Sequence, residues 1–158
     1  MPGMHHRIPR WILALPLALV AHEARAYCVH NDLRERSITV VQEEHPERSR
    51  EQRKLDITLA PGKSHCCKFT NLDCNPAGRE DGVVGLKIAI EGDPTAQCGL
   101  PGGRYKEHQV NVTGIGTLRV VANPRKSERI PYVIRVYARD GKDLSGPAGI
   151  ACLKPARE

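Results

Sequence analysis

Val84-Gly85-Leu86-Lys87-Ile88-Ala89-Ile90 sets Val84, Leu86, Ile88 and Ile90 at a period of two, with Lys87 and then Glu91 on the other face. Side chains of an extended chain alternate between two faces, so this stretch reads as a strand with one face in a core and the other in water. Moving outward, the signal returns. Ser37 to Gln42 (SITVVQ) is short and β-branched, and Leu55-Asp56-Ile57-Thr58-Leu59 alternates strictly before Pro61-Gly62 stops it. Val110 and Val112, then Leu118 and Val120, flank Gly114-Ile115-Gly116, the pattern of a hairpin with a short loop. Tyr132, Ile134, Val136 and Ala138 share a face, with Arg135 and Arg139 opposite and Asp140-Gly141 as the closing turn. Glu43 to Lys54 is broken by Pro46 and carries no apolar stripe, so it reads as a loop or a single helical turn. The expected fold is all-β: a small antiparallel β-sandwich of about 6–7 strands.

The N-terminus speaks of destination. Arg7 and Arg10 precede an apolar run from Trp11 to Ala21, and Ala24-Arg25-Ala26 follows. That order is the positive region, apolar region and small-x-small cleavage site of a secretory signal. As a helix the apolar run covers roughly 16 Å, about half of a hydrocarbon core of about 30 Å, and Pro16 interrupts it. Residues 1–26 are therefore expected to be a cleaved signal peptide, and residues 27–158 a single secreted domain starting at Tyr27, with no stable membrane span. Removing Arg7, Arg10, Arg25 and Glu23 with the leader from the 24 basic and 18 acidic residues leaves a net charge of +4, spread along the chain. This is no nucleic-acid footprint, which needs a basic stripe with stacking aromatics.

Cys28, Cys66, Cys67, Cys74, Cys98 and Cys152 all lie behind the leader. An even count after an export signal reads as a disulfide framework in an oxidising compartment. A bond between neighbours Cys66 and Cys67 closes a strained ring. In a strand those two side chains point to opposite faces, so one can bond inward and the other outward. Of the remaining pairings we favour Cys67–Cys74, Cys28–Cys66 and Cys98–Cys152. Neither CxxC nor HExxH occurs, so no metal and no cofactor are expected.

No catalytic motif is present. Gly62-Lys63-Ser64 lacks the preceding glycine of a phosphate loop, and no G-x-S-x-G occurs. Asp73, Glu80 and Asp81 in one loop, and Asp140 and Asp143 in another, read as solvated turn residues. Asn111-Val112-Thr113 is a glycosylation sequon inside an expected strand. The groups left for acid–base work are His65, His108, Asp73 and Glu80, the basis of an alternative reading as a hydrolase. The main expectation is a non-enzymatic binding protein of the cell envelope or extracellular space with a partner outside the cell. Its candidate surface is the loop from Phe69 to Gly82, rich in Asn, Asp, Gly and Pro, with Arg79, Glu80 and Asp81 as charged tips.

The segment Cys74-Asn75-Pro76-Ala77-Gly78-Arg79-Glu80-Asp81-Gly82-Val83-Val84-Gly85, followed by an alternating strand, resembles the Gly-Arg-Glu-Asp segment of aegerolysins. That resemblance implies a small β-sandwich that binds membrane lipids. The aegerolysins carry many Trp and Tyr residues at their lipid-facing end. Here the single Trp, Trp11, lies in the leader, leaving Phe69, Tyr27, Tyr105, Tyr132 and Tyr137. Tyr27-Cys28 with the Cys66-Cys67 pair also resembles small secreted cysteine-containing β-sandwich proteins.

Overall fold

The computed structural model describes residues 26–93, 96–102, 107–125 and 127–154. The described strands are β1 (Ala26–Asn31), β2 (Ile38–Gln42), β3 (Asp56–Leu59), β4 (Ser64–Lys68), β5 (Val83–Ile90), β6 (Gln97–Cys98), β7 (Leu100–Gly102), β8 (Glu107–Thr113), β9 (Thr117–Ala122), β10 (Tyr132–Tyr137) and β11 (Ile150–Leu153). They form two sheets, ordered β4-β1-β9-β10-β11-β6 and β3-β2-β5-β8-β7. The all-β expectation holds, and no described residue is helical; the segment Glu43 to Lys54 is a run of turns. The expected leader lies outside the described residues except for Ala26, which opens β1.

The core fills by alternation. On β5, Val84, Leu86, Ile88 and Ile90 are all 3 % exposed or less, and they meet Tyr27, Val29, Leu118, Val120, Ile134 and Val136 of the other sheet. Each such side chain taken fully from water contributes about 1.5–3 kcal/mol, which outweighs the weak strand preferences of Gly85, Lys87 and Ala89 between them.

Three features depart from the expected plan. The strands number eleven among the described residues, because short segments without apolar alternation, such as Ser64–Lys68 and Leu100–Gly102, also pair. The sandwich is not wholly antiparallel: β1 runs parallel to β9, with Cys28 beside Thr117 and Asn31 beside Val120. The expected hairpin around Gly114-Ile115-Gly116 does not form. The turn there, closed by Gly116 N–H donating to Thr113 C=O at 2.9 Å, carries the chain from β8 in one sheet to β9 in the other. Both strands have one apolar face, and facing each other across the core buries both faces. Gly114 allows the crossing, since a Cβ there would sit 2.5 Å from the carbonyl oxygen of Arg79. A second crossing, from β6 to β7, passes through Gly99 at φ +95°, where a Cβ would meet Gln109 C=O at 2.0 Å.

All six cysteines pair: Cys28–Cys66, Cys67–Cys74 and Cys98–Cys152. The Cys66-Cys67 alternation is realised on β4. Cys67 is 2 % exposed and bonds beneath the sheet, whereas Cys66 is exposed and bonds on the outer face to Cys28, its direct partner in the β1–β4 register. Three disulfides suit an oxidising, extracellular-type environment. No helix among the described residues is long and apolar enough to cross a membrane.

Candidate functional site

The β1–β4, β9–β10 and β5–β8 registers bring the segments 43–55, 69–82, 114–116 and 138–149 to one end of the sandwich. Two buried amides organise that end. Gln42 closes β2 at an inward position after Ile38 and Val40 and is 1 % exposed. Its Nε2 donates to Cys74 C=O at 3.1 Å, and its Oε1 accepts from Leu55 N–H at 3.3 Å. Asn75 is fully buried, and its Nδ2 donates to Phe69 C=O at 2.9 Å and Arg79 C=O at 2.8 Å. One side chain thus ties the two halves of the 69–82 loop together.

The loop adds no strand. Asn71 starts it as a side-chain turn, with Oδ1 accepting from Asp73 N–H, and its carbonyl accepts from the N–H groups of Cys74 and Asn75. The Cys67–Cys74 bond pins this half to β4. The second half closes through Gly78 N–H to Asn75 C=O and Gly82 N–H to Arg79 C=O, and Gly114 N–H donates to Gly82 C=O. The neighbouring 43–55 segment leans on the loop: Arg48 Nη1 donates to Asp73 C=O at 3.0 Å, and Arg53 N–H donates to Asp73 Oδ1 at 3.1 Å.

The charged tips divide. Arg79 is well exposed, 3.4 Å from Asp81 and 3.7 Å from Glu47. Such exposed pairs contribute about 0–1 kcal/mol. Glu80 and Asp81 form one wall of a cleft of about 600 Å³, completed by Thr113, Ile115, Ala138, Arg139 and Asp140. Arg139 faces Glu80 at 3.6 Å. Two acid-bearing loops remote in sequence therefore meet across one opening.

The chain matches no protein-family model, no curated protein and no solved structure. The likeness to aegerolysins rests on Cys74–Gly85, which here form the second half of the loop and the start of β5.

The four acid–base candidates are not gathered by strand pairing. His65 lies on β4, at the edge of one sheet, and His108 on β8 of the other, its Nδ1 2.9 Å from Gly99 C=O. Asp73 is engaged by Arg53, and Glu80 by Arg139. Among the described residues no group of three or more His, Cys, Asp or Glu could hold a metal ion. Sequence reading missed Gln42 and Asn75 as positioning residues, and Thr113, Ile115, Arg139 and Asp140 as cleft wall. Gln42 had a signal, a polar side chain at the inward parity of its strand. Asn75 had none that set it apart from Asn71 or Asp73.

Proposed function

We propose that this chain is an exported, non-enzymatic binding protein of the periplasm or extracellular space, and that the Glu80–Asp81 cleft is its recognition surface. The observation that carries this is the way the Phe69–Gly82 loop is held. A disulfide and the buried Asn75 fix its backbone from beneath, while Arg79 and Asp81 at its tip are exposed. A surface already in one shape loses less conformational entropy on binding. Glu80, Asp81 and Asp140 against Arg139 make the cleft acidic on balance, so its complement is a partner surface bearing basic side chains, with an on-rate that falls as salt rises.

The test compares the exported wild-type chain with an Arg79, Glu80, Asp81→Ala variant as bait in envelope and culture-fluid extracts. Partners found with the wild type and lost with the equally folded variant support the reading. Identical capture by both overturns it.

A further inference from the structure

We propose that Cys28–Cys66 is a thiol-exchange site: the one disulfide of the folded chain that a thiol outside it can open. The proposal is independent of the binding reading and rests on position in the sheet. Cys67, Cys74, Cys98 and Cys152 are each 5 % exposed or less. Cys66 is exposed, and β4 is the edge strand of its sheet, so no further strand among the described residues covers it on that side. Cys28 is half-buried on β1, between β4 and β9. The register places Ala26, His30, Ser64, Lys68 and Thr117 around the bond on the same outer face, with no carboxylate among them. None of these register neighbours opposes an approaching thiolate with like charge, and Lys68 stands two residues from the sulfur it attacks. Access and a cationic neighbour are the conditions under which thiol–disulfide exchange runs fast.

The chemistry is a pair of displacements. A thiolate attacks Cys66 Sγ, the Cys28–Cys66 bond breaks, and the electron pair leaves on Cys28 Sγ. A second thiolate attacks the outside sulfur of the mixed disulfide, releasing Cys66 as a thiolate and the two thiols as their disulfide. The protein bond gains two electrons and the two thiols lose them. The co-reactant is a small thiol or a thiol-bearing oxidoreductase. The freed Cys66 does not pass the opening inward, because Cys67 points to the other face of β4.

The experiment uses the folded, oxidised wild-type chain, so no variant has to fold. It is exposed to graded reduced glutathione, quenched by alkylation at successive times and mapped by peptide mass, with amide hydrogen exchange reporting that the core stays closed. Cys28 and Cys66 should become labelled at least about ten-fold faster than the other four, and the trapped glutathione adduct should sit on Cys66. Opening of Cys67–Cys74 or Cys98–Cys152 at the same rate overturns the proposal. So does an adduct on Cys28 in place of Cys66, or labelling that waits for loss of the core.

Discussion

On β4 Cys66 is exposed and bridges to Cys28 across the outer face, while Cys67, the next residue, is buried and bridges to Cys74 under the candidate loop. The two bonds differ in what they close as well as in where they lie. The outer one joins residues 38 apart in sequence, the inner one residues 7 apart. Constraint of the unfolded chain grows with loop length, so the bond most open to solvent is also the one that restricts the unfolded state more. The inner bond shapes the site. The outer bond fastens an edge strand.

The largest expected effect tests that division. A Cys28→Ala, Cys66→Ala double variant should lose about 4 kcal/mol of stability and a Cys67→Ala, Cys74→Ala variant about 2.5 kcal/mol, if loop closure governs both. Urea unfolding of the two measures the difference. A larger loss at the inner pair would show that native packing around Cys67 outweighs chain entropy.

Next in size is Asn75→Ala. It removes the donors to Phe69 C=O and Arg79 C=O, of which Arg79 C=O keeps its bond from Gly82 N–H. The cost should be about 1–3 kcal/mol. Faster amide exchange through 69–82, with the β5 core still protected, would place the effect in the loop.

How much of this was legible in the sequence follows from which contacts are local. The strands around Val84–Ile90, Ile38–Gln42 and Tyr132–Tyr137 announce themselves, because each buries one whole face against the opposite sheet. The Cys66-Cys67 step also carried its own geometry, and the three favoured pairings are those found. Strand β4 was harder. Its inward positions are His65 and Cys67 in place of aliphatic residues, so no apolar alternation marks it. The turn at Gly114-Ile115-Gly116 reads alike for a hairpin and for a crossing between sheets; only long-range partners, Cys28 and Tyr137 beside Thr117, decide it. The cleft's far wall, Arg139 and Asp140, comes from a loop with no local tie to Glu80 and Asp81, so one half of the site was visible and the other was not.

The inside and the outside of the molecule should also answer differently to pH. Tyr27, opposite Cys67 in the register and fully buried, has its phenol held well above the ordinary value by burial, with Arg48 pulling the other way. The neutral phenol is thus the form the fold favours. Its contribution is complete below about pH 10, the value in an unfolded chain, and is lost as pH rises toward the folded value. Absorbance titration should find one tyrosine that ionises only as the chain unfolds in alkali. A full set of tyrosines titrating near their ordinary value in the folded protein would contradict its burial.

On the surface, Asp143 is held below the usual carboxylate range by hydrogen bonds from the Ser145 hydroxyl and backbone N–H, with Arg135 beside it at 3.1 Å. Its contribution is present above about pH 4 and is lost as pH falls through the lower folded value. The Ser145 amide resonance in an acid titration should therefore move with a midpoint below that of a free aspartate. An ordinary midpoint would show that the 138–149 segment, one wall of the cleft, is not held by this turn.

The smallest expected effect bears on the central claim, that the 69–82 loop owes its shape to Cys67–Cys74 and Asn75 and not to its charged tip. The measurement is the thermal midpoint of the Arg79, Glu80, Asp81→Ala variant beside that of the wild type. Arg79 and Asp81 are exposed, and the Glu80–Arg139 pair lies at the surface, where such pairs contribute about 0–1 kcal/mol, so the account predicts midpoints that agree within a few degrees. A fall equivalent to several kcal/mol would contradict it, because the tip would then be part of what holds the loop together.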